Sequence, residues 1–240
     1  MTSVDITDLS AWCKISFVNS SANPLYNGAK LYLNGRELTD ITIPSDITEI
    51  KAYAFYNYTS LTSVTIPDSV TSIGDYAFSG CTSLTSVTIP DSVTSIGEQA
   101  FDGCSSLTSI TIPNSVTYIG NNAFGKCTSL ISVELPNNIT SMGDAFNSCS
   151  SLTRVSLPNK LTEIPSQLFY GCTSLSEVTI PESVTSIGQS AFYGCTSLSE
   201  ITIPDSVTSI GKYAFHTTGL ISFTFPSKIK TINAYSVYNC

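Results

Sequence analysis

Leu84-Thr-Ser-Val-Thr-Ile-Pro-Asp-Ser-Val-Thr-Ser-Ile-Gly-Glu-Gln-Ala-Phe-Asp-Gly-Cys104 decides the architecture of this chain. Shifted by 23 residues in either direction, nearly the same line returns. The proline that closes its first apolar run recurs as Pro44, Pro67, Pro90, Pro113, Pro136, Pro158, Pro181, Pro204 and Pro226, always 22 or 23 residues apart. A period of that length marks a solenoid, in which each unit covers the apolar face of the next. A length of 240 residues would otherwise suit one or two globular domains, and the repeat replaces that expectation with a single elongated body.

Each copy has three parts. The first, Leu84-x-x-Val87-x-Ile89-Pro90, alternates apolar with Ser or Thr, which predicts a short strand with its apolar side inward. Proline then ends it, because it cannot donate a ladder hydrogen bond. The second, Val93-Thr-Ser-Ile96-Gly97, fits either a second short strand or a 3-10 turn. Its closing Gly (74, 97, 120, 143, 188 and 211) suggests a positive φ. The third supplies a Phe column, from Phe55 through Phe124 to Phe215, that reads as a packed spine.

Residues 1–37 do not fit the repeat, and a solenoid needs its end coil covered, so they are expected to form an N-terminal cap. Leu9, Trp12, Cys13 and Phe17 stand at helical spacing, with Thr7 or Asp8 available as N-cap. Asn34-Gly35 between short apolar runs is a hairpin signal. The alternative use of Trp12, the chain's only tryptophan, is a ligand site. From residue 38 to 240 run nine copies without a linker, and no closing polar segment follows Cys240.

Composition removes several classes of function. A formal charge of −8, with only 10 basic residues scattered along the chain, argues against nucleic acid as a partner. No apolar run is long enough for a membrane span, and no signal peptide is visible. The eight cysteines are never two to four residues apart, so they lack the spacing of zinc ligands. Six of them (81, 104, 127, 149, 172 and 195) share one slot and read as reduced, buried fillers in a column. His216 is the only histidine, so no Ser–His–Asp set with spare partners can be built. No phosphate-binding loop is present, and neither a cofactor nor an enzymatic activity is expected. Asp68, Asp91, Glu182 and Asp205 form an acidic column after the prolines, with Asn114, Asn137 and Asn159 between. Stacked carboxylates can bind Ca²⁺, but Asp and Asn are also favoured turn residues after proline, and the turn reading is preferred over a metal.

The pattern Leu-x-x-Val-x-Ile-Pro-x-x-Val-x-x-Ile-Gly-x-x-Ala-Phe-x-x-Cys resembles the BspA-like class of leucine-rich repeats, over residues 38–240. The resemblance implies an all-β-rich solenoid: a right-handed, curved stack with a parallel β-sheet on its concave face and short turns or 3-10 segments elsewhere. It also implies an extracellular or cell-surface protein that adheres to host proteins or to other microbes. The family supplies no catalytic residues to transfer.

Function must lie where copies differ. In each first run, the residues flanking the central Val or Ile point away from the core. Most pairs are Ser and Thr, as at Ser63/Thr65 and Ser86/Thr88. The pairs Ser132/Glu134, Arg154/Ser156, Glu177/Thr179 and Glu200/Thr202 break that monotony. These eight residues are the candidate partner-binding surface on the concave face. The competing reading is a solubilising ion pair of Arg154 with Glu134 or Glu177. A protein partner is expected. A spacer that holds other domains away from a surface, and a glycan-binding face, are the alternatives. The glycan reading is weakened because Tyr53, Tyr76, Tyr193 and Tyr213 fall in the third run, away from the strands.

Overall fold

The computed structural model describes residues 1–240. It is a right-handed parallel β-solenoid with almost no helix, as the repeat and the resemblance imply. The first runs of coils one to seven form one parallel sheet of seven strands, from Asp40–Thr42 to Glu177–Thr179. Register follows the repeat: Val64 faces Val87, and Val133 faces Val155, which faces Val178. The central Val or Ile is buried and its neighbours stand outward.

The second run settles as a strand. Two-residue strands such as Ser72–Ile73, Ser95–Ile96 and Tyr118–Ile119 pair in parallel with their neighbours. The glycine that follows does not have the positive φ that sequence suggested, since none of Gly74, Gly97, Gly120, Gly143, Gly188 and Gly211 adopts one. Its role is close approach. The Gly97 amide donates to Ile73 O at 2.8 Å, and an added Cβ on Gly120 would lie 2.5 Å from the Glu98 amide nitrogen. Positive φ falls instead in the third run, on Tyr76, Gln99 and Asn122, and on Gly80 and Gly103.

Hydroxyls explain why Ser and Thr fill the turns. Thr71, Thr94 and Thr117 each donate to the carbonyl one repeat earlier, and Ser69, Ser92 and Ser115 do the same at the next corner. The Ser hydroxyls thereby satisfy the Ile47, Val70 and Val93 oxygens that no backbone amide reaches, while the Thr hydroxyls add a second bond to oxygens that already accept the same residue's amide.

Inside, the Phe rings from Phe55 to Phe215 stack with centroids 5.1–6.2 Å apart. Beside them the six cysteines of the column are fully buried. Each thiol donates to a Phe carbonyl of the preceding coil, for example Cys104 Sγ to Phe78 O at 3.2 Å. They are therefore hydrogen-bonded thiols as well as small fillers. Burial pushes the Cys195 thiol up to about 12 and Cys104 well above its usual value. Cys240 alone among the eight is exposed. Because the thiolate is the reactive form, one thiol per chain is expected to react with a disulfide reagent at pH 8, and all eight after denaturation. Rapid native labelling of three or more would contradict the buried column.

At the N-terminus, β1 (Ser3–Ile6) runs parallel to β2 (Lys30–Leu33), which turns through Asn34 and Gly35, both at positive φ, into antiparallel β3 (Arg36–Glu37). Helix α1 (Leu9–Cys13) starts at Asp8, whose carboxylate accepts the amides of Ser10 and Ala11. Trp12 is buried, and its indole N–H donates 3.1 Å to Ala54 O of coil one. Tyr58 takes the cysteine slot of coil one and donates its hydroxyl to Leu38 O at 2.8 Å, close to Leu31 O.

Two junctions depart from the pattern. The second-run sheet breaks between coil five (Ser141–Met142) and coil six (Glu163–Ile164). Pro165 stands there in the glycine slot. It has no amide to donate to Met142 and carries a Cβ where the coils approach most closely. The Phe146–Phe169 spacing across this junction, 6.2 Å, is the widest of the column. The first-run sheet ends after coil seven, and the expected strands of coils eight and nine do not form. Coil nine places Phe223 and Phe225 in slots that hold Val and Ile elsewhere, and these two rings pack edge-to-face on one another at 4.9 Å.

Candidate functional site

Parallel pairing carries the candidate residues into rows. Ser132, Arg154 and Glu177 stand side by side across three strands, and Glu134, Ser156 and Thr179 form the row beside them. Neighbouring strands lie about 4.8 Å apart, so each row spans roughly a nanometre. All six are at least partly exposed, because alternation leaves them on the side opposite Val133, Val155 and Val178. Together they line a shallow depression of about 300 Å³ floored by Val133 and Val155. Glu200 and Thr202 lie past the last strand. They meet Glu177 and Thr179 across a second depression, of about 600 Å³. The eight predicted residues therefore line two adjoining hollows that share Glu177 and Thr179.

The ion pair of the competing reading is absent. Arg154 and Glu177 are direct register neighbours, yet the ion pairs of the molecule are Lys14–Asp46, Lys30–Glu37, Lys51–Glu49 and Lys126–Asp102, all away from this face. Arg154 is held by neither Glu134 nor Glu177. Its five donors and the carboxylates beside it keep their capacity for an incoming group.

Sequence reading missed four exposed or half-exposed apolar residues on this face. Ile131 stands next to Ser132 and is 54% exposed. Every other copy except the last, which has Ile221, places Thr or Ser in that slot, as at Thr62 and Thr85, whose hydroxyls bond the preceding coil. An apolar residue in a hydroxyl slot was the available signal. Val178, Ile201 and Ile203 are half-buried, although their counterparts Val87, Ile110 and Ile112 are buried. No signal marked these, since they match the core pattern by type.

Other candidates take structural positions. Asp205 Oδ1 accepts the Ser227 amide and Asn137 Oδ1 accepts the Asn159 amide, which is turn capping between successive coils. No group of three metal-ligating side chains converges anywhere. His216 lies face to face with Tyr193 at 4.9 Å and bonds Thr217 at 2.6 Å. The third-run tyrosines stack on one another, Tyr53 on Tyr76 and Tyr170 on Tyr193, each at 4.9 Å. In each pair one face of either ring is covered by its partner. No helix is long and apolar enough to cross a membrane.

Comparison with known proteins agrees with the fold. None of the curated proteins matches the chain. A leucine-rich repeat protein from Bacteroides ovatus is 31% identical, with a TM-score of 0.78 over 80% of this chain and 53% of its own. The chain thus spans about half the length of that protein. The T. pallidum leucine rich repeat protein is 37% identical, with a TM-score of 0.64 over 67% of this chain and 78% of its own. Residues 26–145 and 122–240 match the BspA type leucine rich repeat region. A 23-residue coil with inward Val, Ile, Phe and Cys columns in sequence and structure, together with the family match over nearly the whole chain, makes this chain a member of the BspA-type leucine-rich repeat family.

Proposed function

We propose that the chain is a protein-interaction module that works outside the cell or on its surface and binds its partner through the strand face. Glu134, Arg154, Glu177 and Glu200 are its selective residues. The observation that carries this reading is a set of unpaired charges, lining adjoining hollows, on a sheet otherwise covered by Ser and Thr. Leucine-rich repeats are commonly protein-binding scaffolds, and adhesion to host or microbial proteins is the form of that role the family resemblance favours. A glycan is the weaker occupant, because no aromatic side chain on which a sugar ring could stack lines either hollow.

The test returns the face to its own consensus by combining Glu134→Thr, Arg154→Ser, Glu177→Ser and Glu200→Ser. Exposed substitutions of this kind leave the fold intact, which circular dichroism checks. Affinity for a partner identified on the wild-type chain is expected to fall by at least about thirtyfold, the loss of one or two strong contact residues. Unchanged affinity would count against the strand face.

A further inference from the structure

The junction of coils seven and eight is open on one side only. On the strand face, Glu177–Thr179 is the edge of the sheet, and no backbone ladder continues into coil eight. Val178, Ile201 and Ile203 are half-exposed there. Ser206 adds a separate sign. Ser69, Ser92, Ser115 and Ser183 each donate to the carbonyl 22 residues earlier, whereas the buried hydroxyl of Ser206 has no partner. Elsewhere the junction is shut: Ile187 pairs with Ile210, and the Phe192 and Phe215 rings stack at 5.1 Å. The result is a slot of about 600 Å³ with an apolar floor and Glu177, Glu182 and Glu200 at its rim.

We infer that this slot takes an extended, cationic segment of a partner protein, one apolar side chain entering against Val178 and Ile201 while flanking Lys or Arg heads meet the three glutamates. The inference rests on the strand face being the binding surface and narrows it to one junction and one partner chemistry. Three features select that occupant. The free edge of Glu177–Thr179 offers main-chain groups to an extended chain. The apolar part of the lining is confined to Val178, Ile180 and Ile201, which suits a single side chain and not the face of a helix. The rim carries three carboxylates, none in an ion pair, so it favours positive charge. Arg154, in the neighbouring hollow, repels the same segment and confines it to the coil seven side.

The probe is the blocked pentapeptide Lys-Val-Lys-Val-Lys, added to the full chain carrying benzoylphenylalanine at Thr202, in the wall of the slot, or at Thr65, on the same face in coil two. Crosslinking, read by mass spectrometry, is expected to be at least about tenfold stronger at Thr202, the discrimination that a few well-placed charges and one buried side chain confer. Combining Glu177→Ser, Glu182→Asn and Glu200→Ser should abolish the difference, and Lys-Ser-Lys-Ser-Lys should label Thr202 weakly. Equal yields at Thr202 and Thr65 would overturn the slot and leave the face as the binding surface. Labelling at neither position would also overturn the slot, and affinity of the four-residue variant above then decides the wider reading separately. Labelling by the serine peptide as strong as by the valine peptide would show charge attraction alone and overturn the apolar anchor.

Discussion

Phe124→Ala is expected to destabilise the chain by about 3–5 kcal/mol, the cost of removing a buried aromatic from a packed core. The ring is fully buried and lies between Phe101 at 5.5 Å and Phe146 at 5.7 Å. Its removal takes away two stacking contacts and leaves a void that backbone bonds on both sides, Phe124 N to Ala145 O and Phe101 N to Ala123 O, keep from collapsing. A solenoid distributes its stability over coils and their interfaces, so the loss falls in the middle of the array. Trp12, the only tryptophan, sits at the N-terminal end. In urea, tryptophan fluorescence should then follow the first coils while circular dichroism follows the whole. The variant is expected to separate two transitions that nearly coincide in the wild type. A destabilisation below about 1 kcal/mol would mean that the column is ornamental to stability.

Gly120→Ala should cost about as much, for a different reason. The added methyl would lie 2.5 Å from Glu98 N, 2.6 Å from Gly97 C and 2.7 Å from Glu98 Cα. All three are backbone atoms, so no side chain can turn aside and coils three and four must part. Overpacking typically costs about 1–3 kcal/mol, and a backbone obstacle puts this site at the top of that range. Gly103→Ala is the control. Gly103 has φ +72°, and its nearest neighbour would be 3.8 Å away, so the penalty there is conformational only, about 1 kcal/mol. Equal losses measured by urea unfolding would show that steric contact is not what the second-run glycines avoid.

That pair of glycines also shows where reading the sequence stops. The period fixed the register of both sheets, because a coil repeated every 22 or 23 residues can stack in one way only. Which coils differ was equally plain, and Glu134, Arg154, Glu177 and Glu200 stood out as charges in Ser and Thr slots. A glycine needed for positive φ and a glycine needed for close approach, however, are written with the same letter. The positive φ values that do occur lie mostly on Tyr, Gln, Asn and Ser, where no letter announces them. The slot at coil seven was hidden for the complementary reason. Val178 and Ile201 are ordinary core residues by type, and only their exposure, a property of how coils eight and nine sit, sets them apart. Pro165 lay between these cases. The lost donor was visible in sequence, but the splitting of a sheet was a consequence of stacking.

The ladders are interrupted on one side between coils five and six, and on the other from coil seven onward, so the breaks fall on different sides of the stack. They are staggered like the joints in a course of bricks. Where the second-run sheet parts at Pro165, the first-run strands still bond, Val133 to Val155. Where the first-run sheet parts, Ile187 still bonds Ile210. A crack opened at either joint therefore meets intact masonry on the opposite wall. No junction loses both ladders, so the stack has no course along which it comes apart.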